Sequence, residues 1–243
     1  MSSTLLKNAD CVITMDTARR EIAGGGLYIE DNTIVAVGQT GDLPSTADEI
    51  IDLAGHVVLP GLVNTHHHMF QSLTRVVPDG QNAELFDWLE SLFPIWCNLT
   101  PEMVAVSTEL AMAELLRSGC TTTSDHLYIY PGDCRIDDSI DAAARVGMRF
   151  HASRGSMSLG QSKGGLPPDT LVEDEDYIMK DCQRVIRRFH DPARYSMIRI
   201  ALAPCSPYTV SEDLMRETAA LARATGTRLH THLAESQRDV AYS

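Results

Sequence analysis

Five of the nine histidines in this 243-residue chain fall in two tight runs, His66-His67-His68 and His230-Thr231-His232. Side chains along an extended strand alternate between faces, so His66 and His68 share one face and His67 turns to the other. Two imidazoles on one face at a strand's carboxyl end can hold Zn²⁺ or a similar borderline cation at roughly 2.0 to 2.1 Å. A lone histidine is more often a core ring bonded to backbone, and His67 keeps that reading. Two H-x-H runs at equivalent strand ends favour a metal instead. Three residues past His232 comes Glu235. A carboxylate just off the strand end can reach a water on the cation without binding the cation, which is where a proton carrier is needed. A solvated glutamate, or one favouring a helix N-terminus, would look the same, so H-x-x-E by itself is weak.

These residues need elements to hold them. The first sixty residues read as a β-meander, with short apolar runs at Val12 to Met15, Leu27 to Ile29, Ile34 to Val37 and Val57 to Leu59 separated by Gly24-Gly25-Gly26, Asp31-Asn32 and Gly55. After Pro60-Gly61 the pattern alternates between strands and helices. Strands are expected at Gly61 to His66, Thr121 to Asp125, Met148 to Ser153, Ile198 to Ala203 and Arg228 to Leu233. One helix is capped by Thr100, carries Met103, Val106, Leu110 and Ala113 on its apolar face and stops at Gly119. A second has Ile178, Cys182, Val185 and Phe189 on one face and ends at Asp191-Pro192. A third runs from the Ser211 cap to Gly226 with Leu214, Thr218, Leu221 and Thr225. No helix signal follows Glu235. Leu85 to Trp96, with Phe86, Trp88, Phe93 and Trp96, is either a lid over a planar substrate or a core helix. Five strands with helical crossovers predict a parallel α/β sheet, doubly wound or a (β/α) barrel, and periodicity does not choose between them.

Composition removes several classes. With 44% hydrophobic and 22% charged residues the chain is an ordinary globular one. Thirty-three acidic against 20 basic residues leave a net charge of −13 with no basic stripe, which argues against a nucleic-acid partner. No apolar run approaches the roughly 18 residues of a membrane span, and the first sixteen residues do not read as a secretory leader, so a cytoplasmic location is expected. Six scattered cysteines without a C-x-x-C pair are expected to be reduced thiols. Gly160-Gln161-Ser162-Lys163-Gly164 matches G-x-S-x-G but sits in a loop rather than between strand and helix, leaving a serine hydrolase a distant reading.

At Leu59-Pro60-Gly61-Leu62-Val63-Asn64-Thr65-His66-His67-His68 the chain resembles the amidohydrolase superfamily. Met69 to Arg75, Thr121 to His126, His151 to Met157 and His230 to Glu235 make it similar to the cytosine/guanine deaminase-like branch. The resemblance implies a (β/α)8 barrel of the amidohydrolase kind, with about five of its eight strands present (residues 60–243), behind the incomplete part of a small β-sandwich domain (residues 1–59). It implies His66, His68 and His232 as ligands of Zn²⁺, or Fe²⁺, Glu235 as the proton-transferring carboxylate, and Gln71 and Arg154 as contacts to a heterocycle. The implied reaction is hydrolytic deamination of an amino-substituted aromatic N-heterocycle by water. 8-Oxoguanine is the first expectation for the substrate, and guanine, isoguanine-type purines and hydroxytriazines are alternatives. Gln71 could equally be an ordinary loop residue and Arg154 a cation bridging loops.

The family's pattern also takes a His from a sixth strand and an Asp from an eighth, and neither follows His232 here. The chain therefore reads as the amino-terminal part of a longer, homo-oligomeric enzyme. The isolated polypeptide is expected to be inactive and prone to aggregate, because an open barrel exposes strand edges. A metal-binding module without turnover is the alternative from another class.

Overall fold

The computed structural model describes residues 2–242. The chain divides into two compact units, Met1–Leu62 and Val63–Ser243.

The first unit is built on β1 (Ser3–Ile13), which pairs antiparallel with β2 (Glu21–Glu30), itself antiparallel to β3 (Thr33–Gln39). The expected meander covers these three strands only. Two further strands, β4 (Glu49–Asp52) and β5 (Val57–Val58), join β1 in parallel and make the sheet mixed. Every residue of β4 is exposed, and Glu49 and Asp52 bracket only two apolar positions, so β4 lacks the alternation that would mark it in the sequence. A small cluster of Ala9, Val12 and Leu27, backed by Leu6, Ile22 and Val37, is the core of this unit.

The second unit carries a parallel sheet of β6 (Leu62–Asn64), β7 (Cys120–Leu127), β8 (Arg149–Ser156), β9 (Ile198–Pro204) and β10 (Arg228–Leu229). Its spatial order is β10-β9-β8-β7-β6. A doubly wound sheet reverses direction partway, whereas here each strand adds beside its predecessor, as in a (β/α) barrel. The helices are α1 (Leu85–Trp96), α2 (Pro101–Arg117), α3 (Ile136–Val146), α4 (Glu175–Phe189), α5 (Glu212–Thr225) and α6 (Gln237–Tyr242). The sheet-to-helix core joins Ala111 and Met112 of α2, Ile140 of α3, Ile178 and Cys182 of α4 and Leu214 of α5 to Phe150, Ala152, Ile200 and Leu202 on the strands.

Thr100 Oγ1 accepts the Met103 N–H and Ser211 Oγ accepts the Leu214 N–H, so the expected caps form. Gly226 ends α5 in the left-handed conformation at φ 70°. The buried face of α2 differs from the expected one. Met103, Val106 and Leu110 are 43–49% exposed, while Val104, Ser107, Thr108, Ala111 and Met112 are buried. Apolar residues lie nearly all round this helix, so spacing alone does not select a face. Ser107 and Thr108 are tolerated inside because both hydroxyls donate to the Val104 carbonyl. The stretch after Glu235 is helical after all: Ser236 Oγ accepts the Asp239 N–H and the Asp239 carboxylate accepts the Glu235 N–H, a reciprocal cap in front of α6. Helix α3 carries a weak sequence signal because its acidic residues Asp137, Asp138 and Asp141 obscure the Ile136, Ile140 and Ala143 stripe.

Candidate metal centre and substrate cavity

The side chains singled out in the sequence lie in the second unit, at or beyond the carboxyl ends of its strands. Both expected terminal strands are shorter than their sequence signals. β6 stops at Asn64 and β10 at Leu229, and the histidines follow on irregular backbone. The segment after β10 still leans on β9, with the His230 N–H donating to the Leu202 carbonyl and the His232 N–H to that of Cys205. The His66–His68 segment is held from β7: the His126 N–H donates to the His67 carbonyl at 2.8 Å, and the Met69 N–H to Asp125 Oδ1 at 2.8 Å. Leaving the ladder lets the rings fold over the strand ends.

His66, His68 and His232 meet there, with one ring nitrogen from each lying within 4.8 Å of the others. His68 Nε2 and His232 Nε2 are 3.1 Å apart. The partners of the opposite nitrogens fix the tautomers. His68 Nδ1 lies 2.7 Å from the His126 carbonyl oxygen and His232 Nδ1 lies 2.7 Å from the Cys205 carbonyl oxygen. A carbonyl only accepts, so each Nδ1 bears the proton in the neutral ring and each Nε2 offers a lone pair. Two lone pairs facing at 3.1 Å repel unless a cation or a shared proton lies between them. A proton on His68 or on His66 is disfavoured. Burial, reinforced by the neighbouring His232, pushes His68 down to about 3 and His66 to about 4, so these rings are neutral at physiological pH. The donor set therefore suits a borderline divalent metal.

Two overlapping groups lie beside this donor set, beyond those the sequence spacing singles out. His126 joins His66 and His230 in one, and Cys205 and His232 in the other. His126 is wholly buried, with its Nε2 donating to the Ala203 carbonyl. The alternation argument applied to positions 66 and 68 applies equally to 230 and 232, and could have found His230. Only His66, His68 and His232 of these imidazoles also line the adjacent cavity. His67 belongs to none of the groups.

The cavity encloses about 190 Å³ and opens to solvent at its mouth. Gln71, Tyr128, Met157, Cys205 and Tyr208 line it beside the three histidines, and Glu235 stands on its rim. Helix α1 supplies Leu85, Trp88, Leu89 and Phe93 to the wall. The same helix buries Phe86, Leu92 and Trp96 in a second core, so it is both a core helix and a cavity wall. Gln71 Nε2 donates to Tyr128 Oη at 3.2 Å, which leaves the amide oxygen free to accept. Burial holds the Tyr128 hydroxyl far above its ordinary range, so it keeps its proton.

Arg154, expected at the heterocycle, lies elsewhere. Its guanidinium is 1% exposed, pairs with Glu173 at 2.8 Å and Asp181 at 2.7 Å, and covers the Tyr130 ring at 4.2 Å. Every face of the group is occupied, and it ties β8 to α4 instead of facing the cavity. Ser162 sits in a single 3-10 turn (Gln161–Lys163) and donates to Asp169 Oδ1, with none of the setting of a nucleophile.

Sequential parallel strands with imidazoles gathered above their carboxyl ends are the setting of the site, and the chain belongs to the amidohydrolase family, whose pattern matches residues 57–243. It is 45% identical over 241 residues to an 8-oxoguanine deaminase of Pseudomonas aeruginosa, covering 97% of this chain and 53% of that protein. It is 36% identical to the hydroxydechloroatrazine ethylaminohydrolase of a Pseudomonas species (98% of this chain, 52% of that protein). The crystal structure of an atrazine chlorohydrolase from Arthrobacter aurescens complexed with zinc superposes with a TM-score of 0.88 at 34% identity, over 95% of this chain and 52% of the other. The chain spans about half the length of the curated relatives it matches. No helix among the described residues is long and apolar enough to cross a membrane.

Proposed function

We propose that the protein is a zinc-dependent hydrolytic deaminase of an amino-substituted aromatic N-heterocycle, with 8-oxoguanine as substrate and urate and ammonia as products. The observation that carries this reading is the pair of facing Nε2 lone pairs of His68 and His232, 3.1 Å apart beside a cavity that Glu235 also lines. His66, His68 and His232 hold the cation, which when bound acts as a Lewis acid and makes hydroxide available near neutral pH.

The rest is done by the chain's own groups. Glu235 takes the proton of the attacking water and delivers it to a ring nitrogen of the substrate, which makes the adjacent amino-bearing carbon electrophilic. Addition of the water's oxygen there, and return of a proton to the departing amine through the same carboxylate, gives the oxo-heterocycle and ammonia, with one water consumed. Gln71, held by Tyr128, turns its carbonyl oxygen to the edge of the ring system as an acceptor for a substrate N–H. Trp88, Phe93 and the leucines of α1 cover the planar face and exclude bulk water. The 45% identity to an 8-oxoguanine deaminase supports the purine over a triazine.

Ammonia release by the whole protein from 8-oxoguanine, guanine, isoguanine and hydroxytriazines tests the assignment. Turnover fastest on 8-oxoguanine is expected, and zinc bound with no ammonia from any of them would favour a binding module instead. Glu235→Gln should retain zinc while kcat falls about 10²- to 10⁴-fold, the usual worth of a general acid–base.

A further inference from the structure

Each of the three metal-facing imidazoles needs its far nitrogen held if the near one is to present a lone pair. His68 and His232 are held by the carbonyls of His126 and Cys205. No carbonyl among the described residues holds the His66 ring; its Nδ1 lies 3.1 Å from Nε2 of His230. The two rings meet edge to face, with centroids 5.1 Å apart and planes at 72°, a geometry for a hydrogen bond rather than a stack. We infer that His230 is a positioning residue for the metal centre: its Nε2 accepts the Nδ1 proton of His66 and so sets the tautomer and aim of that ligand.

The direction of the bond follows from the chemistry. If His230 donated to His66 Nδ1, a neutral His66 would carry its proton on Nε2 and could not bind a cation from the cavity side. His230 therefore holds its own proton on Nδ1. His230 does not line the cavity, so it acts through His66 and touches no substrate. This inference rests on the reading of His66, His68 and His232 as the ligands.

Zinc binding to the metal-free protein, measured by competition with a chromophoric chelator, tests the assignment without turnover. His230→Phe keeps a flat ring but removes the acceptor, and His230→Gln places a carbonyl oxygen near the position of Nε2. The expected result is a 10- to 100-fold weaker zinc affinity for the Phe variant, an affinity within a few-fold of the parent for the Gln variant, and one zinc per chain in the parent. Rescue by Gln is the reading that a merely structural role would not give. The assignment is overturned if the Phe variant binds zinc as the parent does, if Gln fails as badly as Phe, or if the parent takes up two zinc ions and each variant one, which would make His230 a ligand. His232→Ala separates the two levels: zinc affinity unchanged in that variant would remove the centre itself, whereas its loss alongside normal binding by His230→Phe removes only the role of His230.

Discussion

Asp125 ties the histidine segment to β7 through the Met69 N–H, and it does so as a wholly buried carboxyl. Burial raises its pKa from 3.8 to about 7, against the lowering effect of the Met69 and His126 N–H groups. Between those two values the folded state holds a proton that the unfolded state has released, so this group's contribution is complete below about pH 4 and is lost as pH rises through 7. Asp125→Asn keeps the oxygen acceptor and carries no charge. The metal-free variant should gain stability over the parent progressively from pH 4 to pH 8, reaching on the order of a few kcal/mol. Thermal melts across that range measure it, and an offset independent of pH would show that the carboxyl titrates normally. At this scale the sequence was informative where spacing carried the chemistry. The H-x-H spacing singles out His66 and His68, whose rings the fold gathers although the strand ends at Asn64, and Glu235, three residues past His232, lines the same cavity. Arg154 could not be placed, because nothing near it in the sequence announces Glu173 and Asp181, 19 and 27 residues further on, as the groups that absorb its charge.

Strand ends are the elements that decide the cavity, and Gly155 controls one of them. A Cβ at this position would run into the Leu127 carbonyl oxygen and lie 2.6 Å from the Tyr128 Cα. The backbone of Tyr128, which lines the cavity, passes that close to β8 just past the end of β7. Gly155→Ala should therefore cost about 1–3 kcal/mol, as overpacking does, and should also raise KM by displacing the Tyr128 and Gln71 pair. Urea unfolding and steady-state kinetics report the two effects separately, and a variant with parental KM would show that Tyr128 is positioned independently of this contact. Element types were legible from caps and periodicity, which is why α2, α4 and α5 begin and end near their sequence signals. The buried face of α2 was not legible, since its partners, β7 and α3, are chosen by chain topology and not by any local residue. The same holds for β6 and β10, whose apolar runs continue into histidines that have already left the ladder.

For the whole chain, charge is the property that composition sets most directly. The net charge of −13 at pH 7 vanishes near pH 5.0, while side chains such as Val76 (84% exposed) and Leu233 (66%) remain at the surface. Loss of repulsion with apolar groups still exposed favours association. Turbidity should peak close to pH 5 and fall on either side, and a maximum near neutrality would contradict that balance. The strand order of the second unit has a larger meaning. β6 and β10 are the two outermost members of the sheet, with three strands between them, and yet rings that follow each of them come within 3.1 Å. Only a strongly bowed sheet allows that approach. An ion gripped by both would rivet the first strand to the fifth, so the bow of the scaffold and the reactivity of the centre are set by a single fastening, and loosening either one slackens the other.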